Sequence, residues 1–181
     1  SGATGGAYTV TVTTDVPADT VSASFTVPSA TLTLSPTSGA AGTSVAVSGS
    51  NYAGTSCTLT PTPSTLFTSY TCSVSATGAL TGGFTVDSGA RAGSYTVRVT
   101  TNISGETASA SFTVPAPTLA LTPNSAAAGT AVGISGQNYA GTGVCTLSSS
   151  PSGLISSPTC SISGGILDGG FIVASGASVG S

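Results

Sequence analysis

A chain of 181 residues suits one or two domains, and an apolar fraction of 39% is ample for β-sandwich cores, but only 4% of residues are charged, against roughly 25% in an ordinary soluble domain. Two Arg, no Lys and a net charge of -3 leave no basic stripe to neutralise a phosphate backbone, which excludes nucleic acid as a partner. No apolar run reaches the roughly 18 residues of a membrane span and no basic segment precedes a short apolar stretch, so a leader, if there is one, has been removed or lies outside this piece.

The chain opens on SGATGGAYTVTVTT at residues 1–14, which returns as SGARAGSYTVRVTT at residues 88–101, a period of 87. The same offset carries TVSASFTV at 20–27 onto TASASFTV at 107–114, and the segment from Thr31 onto the one from Thr118. On that period, residues 1–28 are the C-terminal strands of a partial module, 29–115 a complete module, and 116–181 the N-terminal strands of a further one. Apolar residues alternate at Val45 and Val47, at Tyr95, Val97 and Val99, and at Ala108, Ala110, Phe112 and Val114, bounded by Gly, Pro, Ser and Asn. This pattern predicts strands near 31–35, 43–50, 55–61, 67–75, 79–86, 94–101 and 106–114, and no helix. The fold expected is all-β: tandem Ig-like antiparallel β-sandwich modules. Pro28 with Pro36, and Pro115 with Pro117 and Pro123, predict short, stiff junctions between them.

The run LSPTSGAAGTSVAVSGSNYAG, followed by GARAGSYTVRVTT and ETASASFTV, resembles the IPT/TIG family of Ig-like domains. The family's Pro-Thr-x-Gly-x-x-Gly-Thr turn falls on Pro36, Thr37, Gly39, Gly42 and Thr43, and its following Gly and aromatic fall on Gly49 and Tyr52. The resemblance implies an early-set immunoglobulin sandwich. Family members serve as spacers, adhesin stalks, enzyme-attached modules and receptor ectodomains, so the fold does not choose a function. The chain departs from the family in carrying a cysteine pair in the middle of each module.

Fourteen residues separate Cys57 from Cys72, and fourteen separate Cys145 from Cys160 at the equivalent place in the next module. Four cysteines allow three pairings; a spacing repeated module by module is most simply a local bridge in each. Such bridges place the chain in an oxidising compartment, outside the cytoplasm or at the cell surface. With no His and no closely spaced Cys pair, no metal site or other cofactor is expected.

Catalysis needs a group that ionises near working pH, and the acids Asp15, Asp19, Asp87, Glu106 and Asp168 are scattered, with no Gly-x-Ser-x-Gly elbow among the many serines. No enzyme is expected. Asp15 and Asp19 read as turn residues rather than calcium ligands. Tyr8 and Tyr95, in Gly-x-Tyr-Thr-Val, are placed to tie a hydroxyl back onto the preceding corner. Tyr52 and Tyr139, in Asn-Tyr-Ala-Gly-Thr loops, are candidate contacts for a neighbouring module or a sugar, against a plain role in loop packing. Asn102-Ile103-Ser104 is an N-glycosylation sequon on a predicted hairpin turn.

A surface with so little charge is not kept apart by repulsion; either sugars on its hydroxyls separate it or it packs against copies of itself. The expectation is a secreted structural segment, a filament, sheath or stalk, whose partners are adjacent repeats or neighbouring copies. Its ends are open to two readings: the head of one molecule completes the tail of the next, or the chain is a window on a longer array. The rivals are an adhesin or carbohydrate-binding stalk and a spacer beside an unseen catalytic domain. A Thr-ladder surface for ice or mineral is disfavoured by interspersed Gly and Pro.

Overall fold

A computed structural model describes residues 5–15 and 19–177, and every element in it is a strand. In chain order these are β1 (Gly6–Thr13), β2 (Thr20–Val27), β3 (Thr33–Ser35), β4 (Ser44–Gly49), β5 (Cys57–Thr62), β6 (Tyr70–Val74), β7 (Leu80–Thr85), β8 (Gly93–Thr101) and β9 (Thr107–Val114). Then follow β10 (Ala120–Thr122), β11 (Ala131–Gly136), β12 (Gly143–Val144), β13 (Ile155–Ser163) and β14 (Ile166–Val173). No helix among the described residues is long and apolar enough to cross a membrane.

Strands β3 to β9 make a complete sandwich. One sheet runs β3-β4-β7-β6 and the other β5-β8-β9, the strand arrangement of a seven-stranded immunoglobulin domain. Alternation builds the core: Val45 and Val47 of β4 point inward with Leu80 and Phe84 of β7, and meet Leu59, Tyr95, Val97, Val99 and Phe112 from the opposite sheet. Phe84 stacks on Phe67 at 4.4 Å and meets Phe112 edge-on at 5.9 Å, so the aromatic contact spans both layers. Each such buried side chain contributes on the order of 1.5–3 kcal/mol. The two sheets are also joined at one edge: Gly39 N–H donates to Thr113 O at 3.1 Å, and Thr113 N–H to Thr37 O at 3.0 Å.

All seven predicted strands are present, with a difference before β6. The pattern extends that strand back to residue 67, whereas Leu66 and Phe67 lie in the preceding loop and plug the end of the sandwich, almost fully buried. Asp87 N–H donates to Leu66 O at 2.8 Å, holding that plug against the loop after β7. Two adjacent inward side chains cannot both belong to a strand, where neighbours face opposite ways.

Tyr95 opens β8 as a corner residue: its hydroxyl donates to Arg91 O at 2.9 Å and accepts from Arg91 N–H at 3.0 Å.

The flanking segments are not complete sandwiches. β1 and β2 form a two-stranded sheet of their own, pairing Tyr8 with Phe25 and Val10 with Ala23. After the complete module, β10-β11-β14-β13-β12 form a single five-stranded sheet. Here the third strand of the module departs from the expected pattern. In the complete module β5 pairs with β8, but the equivalent residues from Cys145 onward form no strand, and the two residues before them, Gly143–Val144, pair with β13. Without a β8-like neighbour, the chain after Cys145 has no ladder to join.

Candidate functional site

Three features stand out: a tied loop at one end of the complete sandwich, two disulfide bridges, and two exposed apolar faces.

The loop is Asn51-Tyr52-Ala53-Gly54-Thr55. Asn51 adopts a left-handed conformation, φ 67°, which Asn tolerates better than most residues, and its Nδ2 donates to Ser29 O at 3.1 Å. That turn sends Tyr52 inward, so the side chain is 4% exposed. Its hydroxyl donates to Thr31 O at 2.8 Å, and its ring lies over Gly49, where any Cβ would collide with the Thr31 carbonyl. Tyr52 is therefore a core residue whose ring is closed to a sugar or a neighbour, a correction to its reading as a contact aromatic. Burial, and then the nearby Glu106 charge, push its hydroxyl pKa up to about 12. Tyr139, in the same sequence setting, is half-buried beside the core of the last sheet.

Glu106 is the buried charged side chain that the sequence pattern did not single out. It stands on the turn joining β8 and β9, and its carboxylate accepts from Ala53 N–H at 2.7 Å, Gly54 N–H at 3.0 Å and the Thr101 hydroxyl at 2.6 Å. Burial acts to raise its pKa, but these donors outweigh it and hold the carboxyl below its ordinary value. Asn102, the sequon residue, is exposed on the same turn; its Oδ1 accepts from Thr55 N–H at 2.9 Å and Ser56 N–H at 3.3 Å. Both residues are pinning posts for the loop. The available signal was the repeat itself, which puts an acid, Asp19, at the place of Glu106 and an acceptor, Asp15, at that of Asn102.

Cys57 is bonded to Cys72, with Cα atoms 5.9 Å apart, and Cys145 to Cys160, 5.2 Å apart. The first bridge ties β5 of one sheet to β6 of the other, closing the edge where the layers diverge. Among the described residues no three His, Cys, Asp or Glu side chains gather as a metal site would require.

The exposed faces are related by sequence. Val97, Val99 and Phe112 are fully buried in the complete module, while the corresponding Val10, Val12 and Phe25 of the β1–β2 hairpin are 56%, 58% and 61% exposed. On the last sheet Val132, Ile134, Leu167, Phe171 and Val173 form a small core. Its margin is open: Leu121 and Leu154 are 41% and 39% exposed, where Leu34 and Leu66 of the complete module are 3% and 0%. A groove of about 480 Å³ there is lined by Leu121, Pro123, Leu154, Phe171 and Val173 among others. No protein-family model, curated protein or solved structure matches the chain.

Proposed function

We propose that the chain is a structural segment of an extracellular filament, sheath or stalk, built from IPT/TIG-like modules that associate end to end and side by side. The observation that carries this reading is a strand surface written in hydroxyls instead of charge, in a protein with only 4% charged residues. The disulfides support an oxidising compartment. The outward faces of the strands, rich in Ser and Thr, pair across strands through hydroxyls, as in Thr11 with Ser22 at 2.7 Å and Ser73 with Thr81 at 3.0 Å. Those faces suit lateral contact or sugar attachment, and neither requires charge.

Electron microscopy of native material tests the proposal. Regular fibres with an axial repeat of one or two modules are expected. Isolated flexible strings would make the segment a spacer for something it carries.

A further inference from the structure

We propose that the Nδ2 amide nitrogen of Asn102 carries an N-linked glycan, placed at one end of the complete sandwich and not on its sheet faces. The inference rests on the extracellular setting proposed above, and its geometry on the turn between β8 and β9.

That turn is short and tightly closed. Thr101 N–H donates to Glu106 O at 3.4 Å and Glu106 N–H to Ile103 O at 3.1 Å, while Gly105 supplies the left-handed step, φ 82°. Asn102 and Ser104, the first and third residues of the sequon, are both exposed on it, with Ile103 half-buried between them.

The carboxamide is oriented by the loop it pins. Its Oδ1 accepts from Thr55 N–H at 2.9 Å and Ser56 N–H at 3.3 Å. A backbone N–H can only donate, so the atom facing these two groups is the oxygen, and the amide nitrogen takes the remaining position. Nδ2 meets Thr55 Oγ1 at 3.5 Å, the outer limit of a hydrogen bond. It carries two hydrogens, so one can be replaced without loss of that contact. Pinning and sugar attachment thus use different atoms of one side chain.

The preceding repeat separates the two roles. Asp15 stands at the place of Asn102, and the residue two places on is Pro17 where the complete module has Ser104. A carboxylate accepts from backbone N–H groups at least as strongly as a carboxamide does, so the pin alone does not call for an amide. The complete module has, together, the nitrogen and the hydroxyl that N-linked transfer requires.

The donor class is an oligosaccharide joined through C1 to a lipid pyrophosphate, supplied by the secreting cell. The Nδ2–C1 bond forms and the bond from C1 to the pyrophosphate oxygen breaks, its electron pair leaving with the pyrophosphate. Nδ2 releases one proton, and nothing is oxidised or reduced. The product keeps its amide oxygen, so Thr55 and Ser56 keep their acceptor. A glycan there hydrates a module that is short of charge. It also leaves the hydroxyl rows along the sheets, such as Ser73 with Thr81, uncovered for lateral contact.

Mass spectrometry of the peptide spanning residues 102–104, from native material, is the first test; a sugar on Asn102 is expected. The full chain secreted from an N-glycosylating host is expected to carry the same modification. Asn102→Asp and Ser104→Ala should each abolish it, and Ser104→Thr should retain it. Asn102→Asp keeps the acceptor, so its melting should match that of the unglycosylated wild type, which separates loss of the sugar from loss of the fold. Bare Asn102 in native material would overturn the proposal, as would a sugar on this peptide that survives Asn102→Asp. Native fibres with bare Asn102 would leave the structural role standing and remove the glycan; a glycan on Asn102 in material that forms only isolated strings would do the reverse.

Discussion

The carboxylate of Glu106 receives the backbone N–H of Gly54 at 3.0 Å, tying the turn between the last two strands of the sandwich to a loop more than fifty residues earlier in the chain. With Ala53 and Thr101 it holds three donors at once. Hydrogen bonds to a charged acceptor contribute about 1.5–3 kcal/mol each, and a donor left buried without one costs a comparable amount. Glu106→Ala should therefore lower stability by about 3 kcal/mol, and Glu106→Gln, which keeps one acceptor oxygen, by about 1 kcal/mol. Urea unfolding of the full chain checks the order; equal losses for the two variants would show that side-chain packing, not charge, holds the loop.

The same carboxylate makes stability depend on acid. Its folded pKa lies below the unfolded value of about 4.3, so its contribution is present above that pH and is lost as the pH falls through the folded pKa. Wild-type protein should lose stability more steeply below about pH 4 than Glu106→Gln, and the two curves should converge in acid. Parallel curves would mean that Glu106 does not titrate between the folded and unfolded states.

Tyr52 gives the opposite limb. Its folded pKa of about 12 exceeds the ordinary value of 10, so its contribution is intact below about pH 10 and declines as the pH rises towards 12. An absorbance titration should show a tyrosine ionising late, near pH 12, and Tyr52→Phe should abolish that step. The substitution leaves the Thr31 carbonyl without its hydroxyl donor and should cost about 1 kcal/mol.

Much of this fold was legible because strand grammar is local: alternation marked all seven strands of the complete module, and the repeat located the cysteine pairs. What escaped depended on contacts distant in sequence. Phe67 looks like the start of a strand because it is apolar, and only the open end of the sandwich makes it, together with Leu66, a plug. Tyr52 looks exposed because its neighbours are loop formers, yet the left-handed Asn51 turns it inward. The counterpart of β5, from Cys145 onward, looks like a strand on its own residues, but a strand needs a ladder partner, and these residues form none. Glu106 was hidden by a substitution of Glu for Asp between repeats, which breaks identity while keeping the acceptor.

The Cys57–Cys72 bridge closes a short loop between β5 and β6 on opposite sheets. A loop of about 15 residues contributes roughly 3 kcal/mol by restricting the unfolded chain. Replacing both cysteines by Ser should lower the melting temperature of the complete module by roughly 12–24 °C, as expected for a domain under about 100 residues. A shift of only a few degrees in calorimetry would show that the β5–β6 edge is held by packing alone.

Two glycines separate close approach from ordinary flexibility. Gly82 lies in β7, in the Gly-Gly step that lets β6 pass closely, and a Cβ there would collide with the Thr71 carbonyl, a backbone atom that cannot swing away. Gly89 lies in the turn after β7, where a Cβ would sit 3.5 Å from an Asp87 side-chain oxygen, ordinary contact. Gly82→Ala must therefore push β6 and β7 apart, at a cost of about 2 kcal/mol or more. Gly89→Ala restricts the unfolded chain without a clash and should be neutral or stabilise by up to about 1 kcal/mol. Denaturant midpoints of the two variants decide it: equal effects would mean that β6 can move away from β7 freely, and the Gly-Gly step would then have to be explained by something other than the spacing of these strands.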